Sequence, residues 1–248
     1  MHVFLTGATG FIGSRIVPEL LAAGHQVLGL TRSDAGAAAL EAAGADVYRG
    51  TLEDPEGLAQ GAARADAVIH TAFDHDFTNF VANCEKDGRV IAALGAALKG
   101  SDRPLIITSG TGRGQAAPGR PATEDVFAPD HPNPRVISEK TGNALIEAGV
   151  NVSVVRLPQV HDLVKQGLVS PYVEMARAAG VAAYVGDGGN RWPAAHVSDV
   201  AKLYVLALAA NEAGARFHAV DEEGVSARHI AEAVGAGLGV PTKSLTPE

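Results

Sequence analysis

The chain has 248 residues, of which 46% are hydrophobic and 19% charged, and its formal net charge is −8. That is enough apolar material for one large domain or a domain with a smaller appendage, and the acidic balance argues against nucleic acid or an anionic membrane surface as partner. A single cysteine, Cys84, rules out an internal disulfide and a cysteine-only zinc site, and fits a cytoplasmic location.

The first run, HVFLTG, is short, apolar and glycine-ended, as a buried parallel strand is. FIGSRIVPELLAAG follows as an amphipathic helix, with Pro18 inside it expected to kink the helix or remove a backbone bond. QVLGLTR is a second strand, and SDAGAAALEAAG a helix capped by Ser33 or Asp34. ADVYRG is a third strand, and EDPEGLAQGAA a helix with Asp54 as cap and Pro55 at its first position. ADAVIHTA is a fourth strand, residues 76–99 hold a long helix, and RPLIITSG is the fifth strand. No apolar run reaches the length of a spanning helix, and the N-terminus reads as strand and glycine loop, not as a signal peptide.

The alternation then breaks. TGRGQAAPGRPATEDVFAPDHPNP has no periodicity, and a loop of that length is usually functional or disordered. A helix from about Pro134 and the strand NVSVVRLP resume the pattern. Residues 162–195 read as an insertion, after which SDVAKLYVLALAA, ARFHAV and SARHIAEAVGAGL return to helix, strand, helix. The fold class is α/β, a Rossmann-type doubly wound parallel sheet with a small substrate-binding subdomain. Residues 1–160 and 196–235 are expected to form the dinucleotide-binding domain, and 161–195 with 236–248 the subdomain. The tail GVPTKSLTPE stops soon after the last helix, so either the substrate cap is small or the chain is a shortened one.

TGATGFIG lies between a strand and a helix and spaces Gly7, Gly10 and Gly13 three apart. Gly7 suits the tight turn, Gly10 a close approach to a pyrophosphate, and Gly13 close packing of the helix on the sheet. The helix N-terminus offers N–H groups and a positive dipole to phosphate. Thr9, Phe11 and Ile12 complete the candidate phosphate loop. At the end of the second strand, where NAD-selective sites carry a carboxylate, stands Thr31, followed by Arg32. A guanidinium there favours a 2′-phosphate, so NADP(H) is the preferred cofactor, with NAD(H) left open; Arg15 is placed to assist.

The chain resembles the short-chain dehydrogenase/reductase superfamily, in its extended or atypical branch (epimerase/dehydratase-like), over nearly its whole length. TGATGFIG matches the extended-type fingerprint, and ADAVIHTA resembles the fourth-strand motif whose end lines the cofactor, here His70, Thr71, Ala72 and Phe73. PATEDVFAP is similar to the acidic segment of the active-site loop, and HVSDVA to the HVDDVA segment. VVRLPQVHD resembles the segment beside the nicotinamide, which implies Leu157, Pro158 and Val160 as lining. The resemblance implies a tyrosine acid-base, a lysine holding the ribose and a hydroxyl orienting the substrate oxygen. Ser109, or Thr111 just beyond it, matches the hydroxyl, and Lys140 matches the lysine, but Val136 stands four residues earlier in place of tyrosine. Residues four apart share a helix face, so position 136 is expected to face the same site as Lys140, with Ser138 and Glu139 turned elsewhere.

His161 falls at the tyrosine of the family's VYG segment and is the candidate replacement acid, while Arg135 is a candidate for an anionic substrate group. Ser198 or Asp199 is expected to cap the helix after His196. Tyr184 and Trp192 bracket VGDGGNR as pocket or packing residues. Asp74, His75 and Asp76 have the composition of a metal site without supporting spacing, so no metal is expected. The implied activity is reduction of a small carbonyl, imine or activated alkene by an NADPH-dependent oxidoreductase. The alternatives are an NADP(H)-sensing regulator with little catalysis and a sugar-nucleotide epimerase or dehydratase. The expected partner is a small-molecule substrate, and the resemblance admits a homodimer through the helices of residues 76–99 and 134–148.

Overall fold

The computed structural model describes residues 1–117 and 119–246. The chain falls into two compact units, residues 1–157 with 198–218 and residues 158–197 with 219–248.

In the larger unit β1 (His2–Thr6), α1 (Gly13–Ala22), β2 (Gln26–Thr31), α2 (Asp34–Ala42), β3 (Asp46–Arg49) and α3 (Pro55–Ala63) alternate. They are followed by β4 (Ala67–His70), α4 (Phe80–Leu98), β5 (Leu105–Gly110), α5 (Ile137–Glu147) and β6 (Val152–Leu157). α1 runs through Pro18 to Ala22 without ending there. Ser33 accepts from the Gly36 N–H to cap α2, and Asp54 from the Gly57 N–H to cap α3. Together with β10 (Arg216–His218), the strands form one seven-stranded sheet in the order β10-β6-β5-β4-β1-β2-β3. Every pairing in it is parallel.

Alternate strand residues point to opposite faces, and this sorts the core. Phe4, Leu28, Leu30, Val68, Ile107, Val152 and Val154 meet Leu58 of α3, Val90, Ile91, Leu94 and Leu98 of α4, and Leu145 of α5. On the other face Gly29 lets Leu40 of α2 lie against β2, since a Cβ there would come within 2.8 Å of the leucine methyls. Tyr204 of α7 (Val197–Ala210) is fully buried on that face, 2.6 Å from Thr108 Oγ1. α7 begins at Val197, so Ser198 and Asp199 lie in its first turn; the expected cap at either residue is corrected.

The loop after β5 is tied to the sheet by Arg156 of β6, which is completely buried. Its guanidinium donates to the carbonyls of Thr123 at 3.0 Å and Val126 at 2.8 Å, and pairs with Glu139 of α5 at 2.8 Å. Glu139 therefore faces the sheet, not another side of the helix as its sequence position suggested.

The smaller unit contains β7 (Gln159–His161), α6 (Val169–Ala179), β8 (Ala182–Val185), β9 (Arg191–His196), β11 (Glu222–Ser226), α8 (Ala227–Leu238) and β12 (Thr242–Leu245). β9 lies between β7, to which it is parallel, and β11, to which it is antiparallel; β12 pairs in parallel with β8. The residues expected to return to the main domain after β10 thus do not: β11 and α8 belong with this unit, because β11 pairs with β9 and Gly188 receives the Arg228 N–H. The boundary on the other side falls at Pro158 instead of 161.

Candidate active site

The carboxyl ends of β1 and β4 are fastened together. Thr71 Oγ1 donates to the Thr6 carbonyl at 2.8 Å, and the Ala72 N–H to Thr6 Oγ1 at 3.3 Å. Gly7, at φ +70°, makes this approach possible: a Cβ on it would come within 2.7 Å of Thr71 Oγ1 and 2.8 Å of the Ala72 nitrogen. At Gly13 a Cβ would strike the Gly7 carbonyl, so the third glycine is required for the loop to turn into α1. Gly10, exposed beside Thr9, meets only the Gly7 carbonyl, at 3.1 Å. Ile12 at the start of α1 makes no side-chain cap, and no acid lies in the first turn, in contrast to α2 and α3. An N-terminus without an internal anion suits an external phosphate.

Thr31 is buried at the end of β2. Arg32 is exposed and makes no hydrogen bond or ion pair among the described residues.

Ser109 lies near the end of β5 on the face that α4 and α5 cover, as Ile107 does. It is 5% exposed, and its hydroxyl has no hydrogen-bond partner among the described residues. A buried hydroxyl without a partner costs about 1–3 kcal/mol. Thr111 lies in the short 3₁₀ turn that follows.

Val136 and Lys140 do not share an environment. Residues 134–136 form a 3₁₀ turn that runs directly into α5, with Val136 in right-handed α conformation at its N-cap, so Lys140 follows one helical turn later. Val136 is buried, whereas Lys140 is exposed and makes no hydrogen bond or ion pair among the described residues.

What the turn presents instead is Arg135. Its guanidinium pairs with Asp87 of α4, donates to Ser138 Oγ, and lies 4.1 Å from the centre of the Phe73 ring. Asp87 is 2% exposed and also meets His70 Nε2 at 3.1 Å and Ser138 Oγ at 2.7 Å. His70 Nδ1 is in turn 2.7 Å from Thr6 Oγ1. One buried polar chain therefore runs from the strand before the glycine loop to the turn before α5. Burial pushes the Asp87 carboxyl pKa up, but the Arg135 charge and the His70 and Ser138 hydrogen bonds outweigh it and hold it at about 2. Arg135 thus spends its charge internally, which argues against the anion-binding role its sequence position suggested. Asp87 was legible as an acid within the apolar stripe of α4, flanked by Cys84, Val90 and Ile91, and His70 as an imidazole ending an apolar strand.

The remaining candidates lie elsewhere in the chain. Leu157 ends β6 in the larger unit, while Pro158, Val160 and His161 open the smaller one. His161 stands beside His196 across the β7–β9 pairing, ring centres 5.8 Å apart and edge to face. Asp74 is engaged by Lys86 at 3.0 Å, Asp76 by the Thr78 N–H, and His75 Nδ1 lies 3.1 Å from the Phe73 carbonyl. Among the described residues no group of three or more His, Cys, Asp or Glu is arranged to hold a metal, and no helix is long and apolar enough to cross a membrane.

A parallel sheet whose order reverses between β1 and β4, with a glycine turn at that point, defines a dinucleotide-binding α/β protein. Residues 3–221 match the profile of the NAD dependent epimerase/dehydratase family, and the chain belongs to that family. It is 46% identical over 249 residues to an uncharacterized protein, C2A9.02, of Schizosaccharomyces pombe, covering 100% of this chain and 84% of the relative. A 2-alkyl-3-oxoalkanoate reductase of Stenotrophomonas maltophilia is 30% identical over 226 residues, covering 87% of this chain and 67% of that protein. The fold is shared with a UDP-glucose 4-epimerase of Thermus thermophilus in complex with NAD, at TM-score 0.75 and 23% identity, over 100% of this chain and 87% of that one.

Proposed function

We propose that the chain is an NADPH-dependent reductase of a small carbonyl compound. The observation that carries this reading is the buried hydroxyl of Ser109 at the carboxyl end of β5, which has no hydrogen-bond partner among the described residues. Similarity to a 2-alkyl-3-oxoalkanoate reductase supports it.

The residues fit a nicotinamide dinucleotide. The open start of α1, with Thr9, Gly10, Phe11, Ile12 and Gly13, would take the pyrophosphate, and Arg32 the 2′-phosphate. Thr71, Ala72, Phe73, Leu157, Pro158 and Val160 are the proposed lining, and Lys140 the proposed ribose contact. The bound cofactor supplies the hydride. Ser109 donates a hydrogen bond to the substrate oxygen, where negative charge grows as the carbonyl is reduced. For the proton, His161 is the candidate by chemistry, since an imidazole can donate one and Val136 carries no proton to give.

The test mixes purified protein with NADPH or NADH and a panel of carbonyl and imine compounds, following absorbance of the reduced nicotinamide. NADPH is expected to bind at least about tenfold more tightly than NADH, with Arg32→Glu reversing the order. Tight NADPH binding with turnover of no compound would favour the second reading, an NADP(H) sensor, which the valine at position 136 motivates.

A further inference from the structure

After β4 the chain runs through Phe73, His75, Phe77 and Phe80, and their rings touch in sequence. Phe73 meets His75 at 5.2 Å and Phe80 at 6.2 Å, while Phe77 meets His75 at 6.1 Å and Phe80 at 5.7 Å. Three of the chain's seven phenylalanines thus stand in eight residues, at the carboxyl edge of the sheet. Phe77 is 56% exposed, and His75 is exposed as well. Such rings would normally turn inward.

The segment is held in this form by its own hydrogen bonds and ion pairs. Asp76 accepts from the Thr78 N–H at 3.0 Å and from Asn79 Nδ2 at 3.1 Å, and Asn83 Nδ2 donates to the Asp76 carbonyl at 2.9 Å. Lys86 clamps Asp74 and Glu53. Arg135 covers part of Phe73 from the side of α5. The charges around the rings decide what they would accept. Asp74, Asp76 and Glu53 outnumber Lys86, which is already paired with Asp74 and Glu53, and the charge of Arg135 is met by the buried Asp87. A carboxylate or diphosphate would meet a net negative rim, whereas a neutral ring would meet edges and faces suited to edge-to-face and offset stacking.

We infer that Phe73, His75, Phe77 and Phe80 form an aromatic subsite for a neutral aryl group, which makes the substrate class aryl aldehydes and ketones. The substrate assignment rests on the carbonyl-reductase reading above; the subsite itself does not.

The experiment measures binding by calorimetry on the full chain, first alone and then saturated with NADP⁺. Acetophenone is compared with cyclohexyl methyl ketone, which has a similar outline without the π-face, and with 4-acetylbenzoate, which adds a charge. Acetophenone is expected to bind about tenfold more tightly than either. Phe77→Ala, at a side chain too exposed to hold the fold, is expected to abolish that ratio, and Phe77→Trp to keep it. Equal affinities for the two ketones, tighter binding of the benzoate, an unchanged ratio in Phe77→Ala, or no binding of any of the three at millimolar concentration would overturn the subsite. Failure of NADP⁺ to bind while the ratio persists would defeat the reductase reading and leave the subsite standing.

Discussion

Asp87 holds Arg135 with one carboxylate oxygen and His70 with the other, so a single buried acid on α4 joins the end of β4 to the turn before α5. Removing it strands a guanidinium and an imidazole. Asp87→Ala is expected to cost about 3–5 kcal/mol of folding stability, read by urea denaturation. The same acid sets a pH dependence. Its folded pKa, about 2, lies below the unfolded value of 3.8, so its contribution is present above that value and is lost as pH falls toward 2. The wild-type urea midpoint should therefore fall across that window more steeply than that of Asp87→Asn.

The three glycines of the loop separate by role. Gly13→Ala drives a methyl into the Gly7 carbonyl, and should lower stability by about 2–3 kcal/mol. Gly10→Ala requires only a small shift of that carbonyl; its stability should stay within about 1 kcal/mol of wild type, while NADPH binding weakens at least about tenfold. Thermal unfolding and a dinucleotide titration on both variants check this.

Ser109 offers an opposite signature. Because its hydroxyl has no internal partner among the described residues, Ser109→Ala should leave stability unchanged or raise it by about 1 kcal/mol. Turnover on any reduced carbonyl should fall by about 100-fold, as for loss of one oxyanion donor. Loss of stability with full activity would place the hydroxyl in the core and outside the chemistry.

The long loop after β5 should respond to acid earlier than Asp87 does. His218 Nε2 lies 3.2 Å from Arg156 Nη1, and the His218 N–H donates to Glu124 of the loop at 2.6 Å. Burial, and then the Arg156 charge, lower the His218 pKa. The folded chain therefore takes up this proton less readily than the unfolded one. Its contribution is intact above the ordinary histidine value of 6.5 and declines as pH drops below it. Limited proteolysis between Gln115 and Val126 should accelerate below that pH, and His218→Gln should flatten the dependence.

Local chemistry made much of this protein legible from its residues alone. Strand and helix alternation, the caps at Ser33 and Asp54, and the glycine spacing are written in neighbouring residues, where periodicity and turn chemistry act. They suffice for a parallel sheet and a glycine turn between its first strand and helix. Three matters were decided only by tertiary structure. β11 and α8 join the smaller unit because strand pairing, not sequence order, chooses the neighbour of β9. Val136 is buried while Lys140, one helical turn on, is exposed, because packing and not spacing sets what surrounds a side chain. Arg135, Asp87 and His70 come together from three elements because burial makes each polar group seek a partner, and that partner lies up to 48 residues away in sequence.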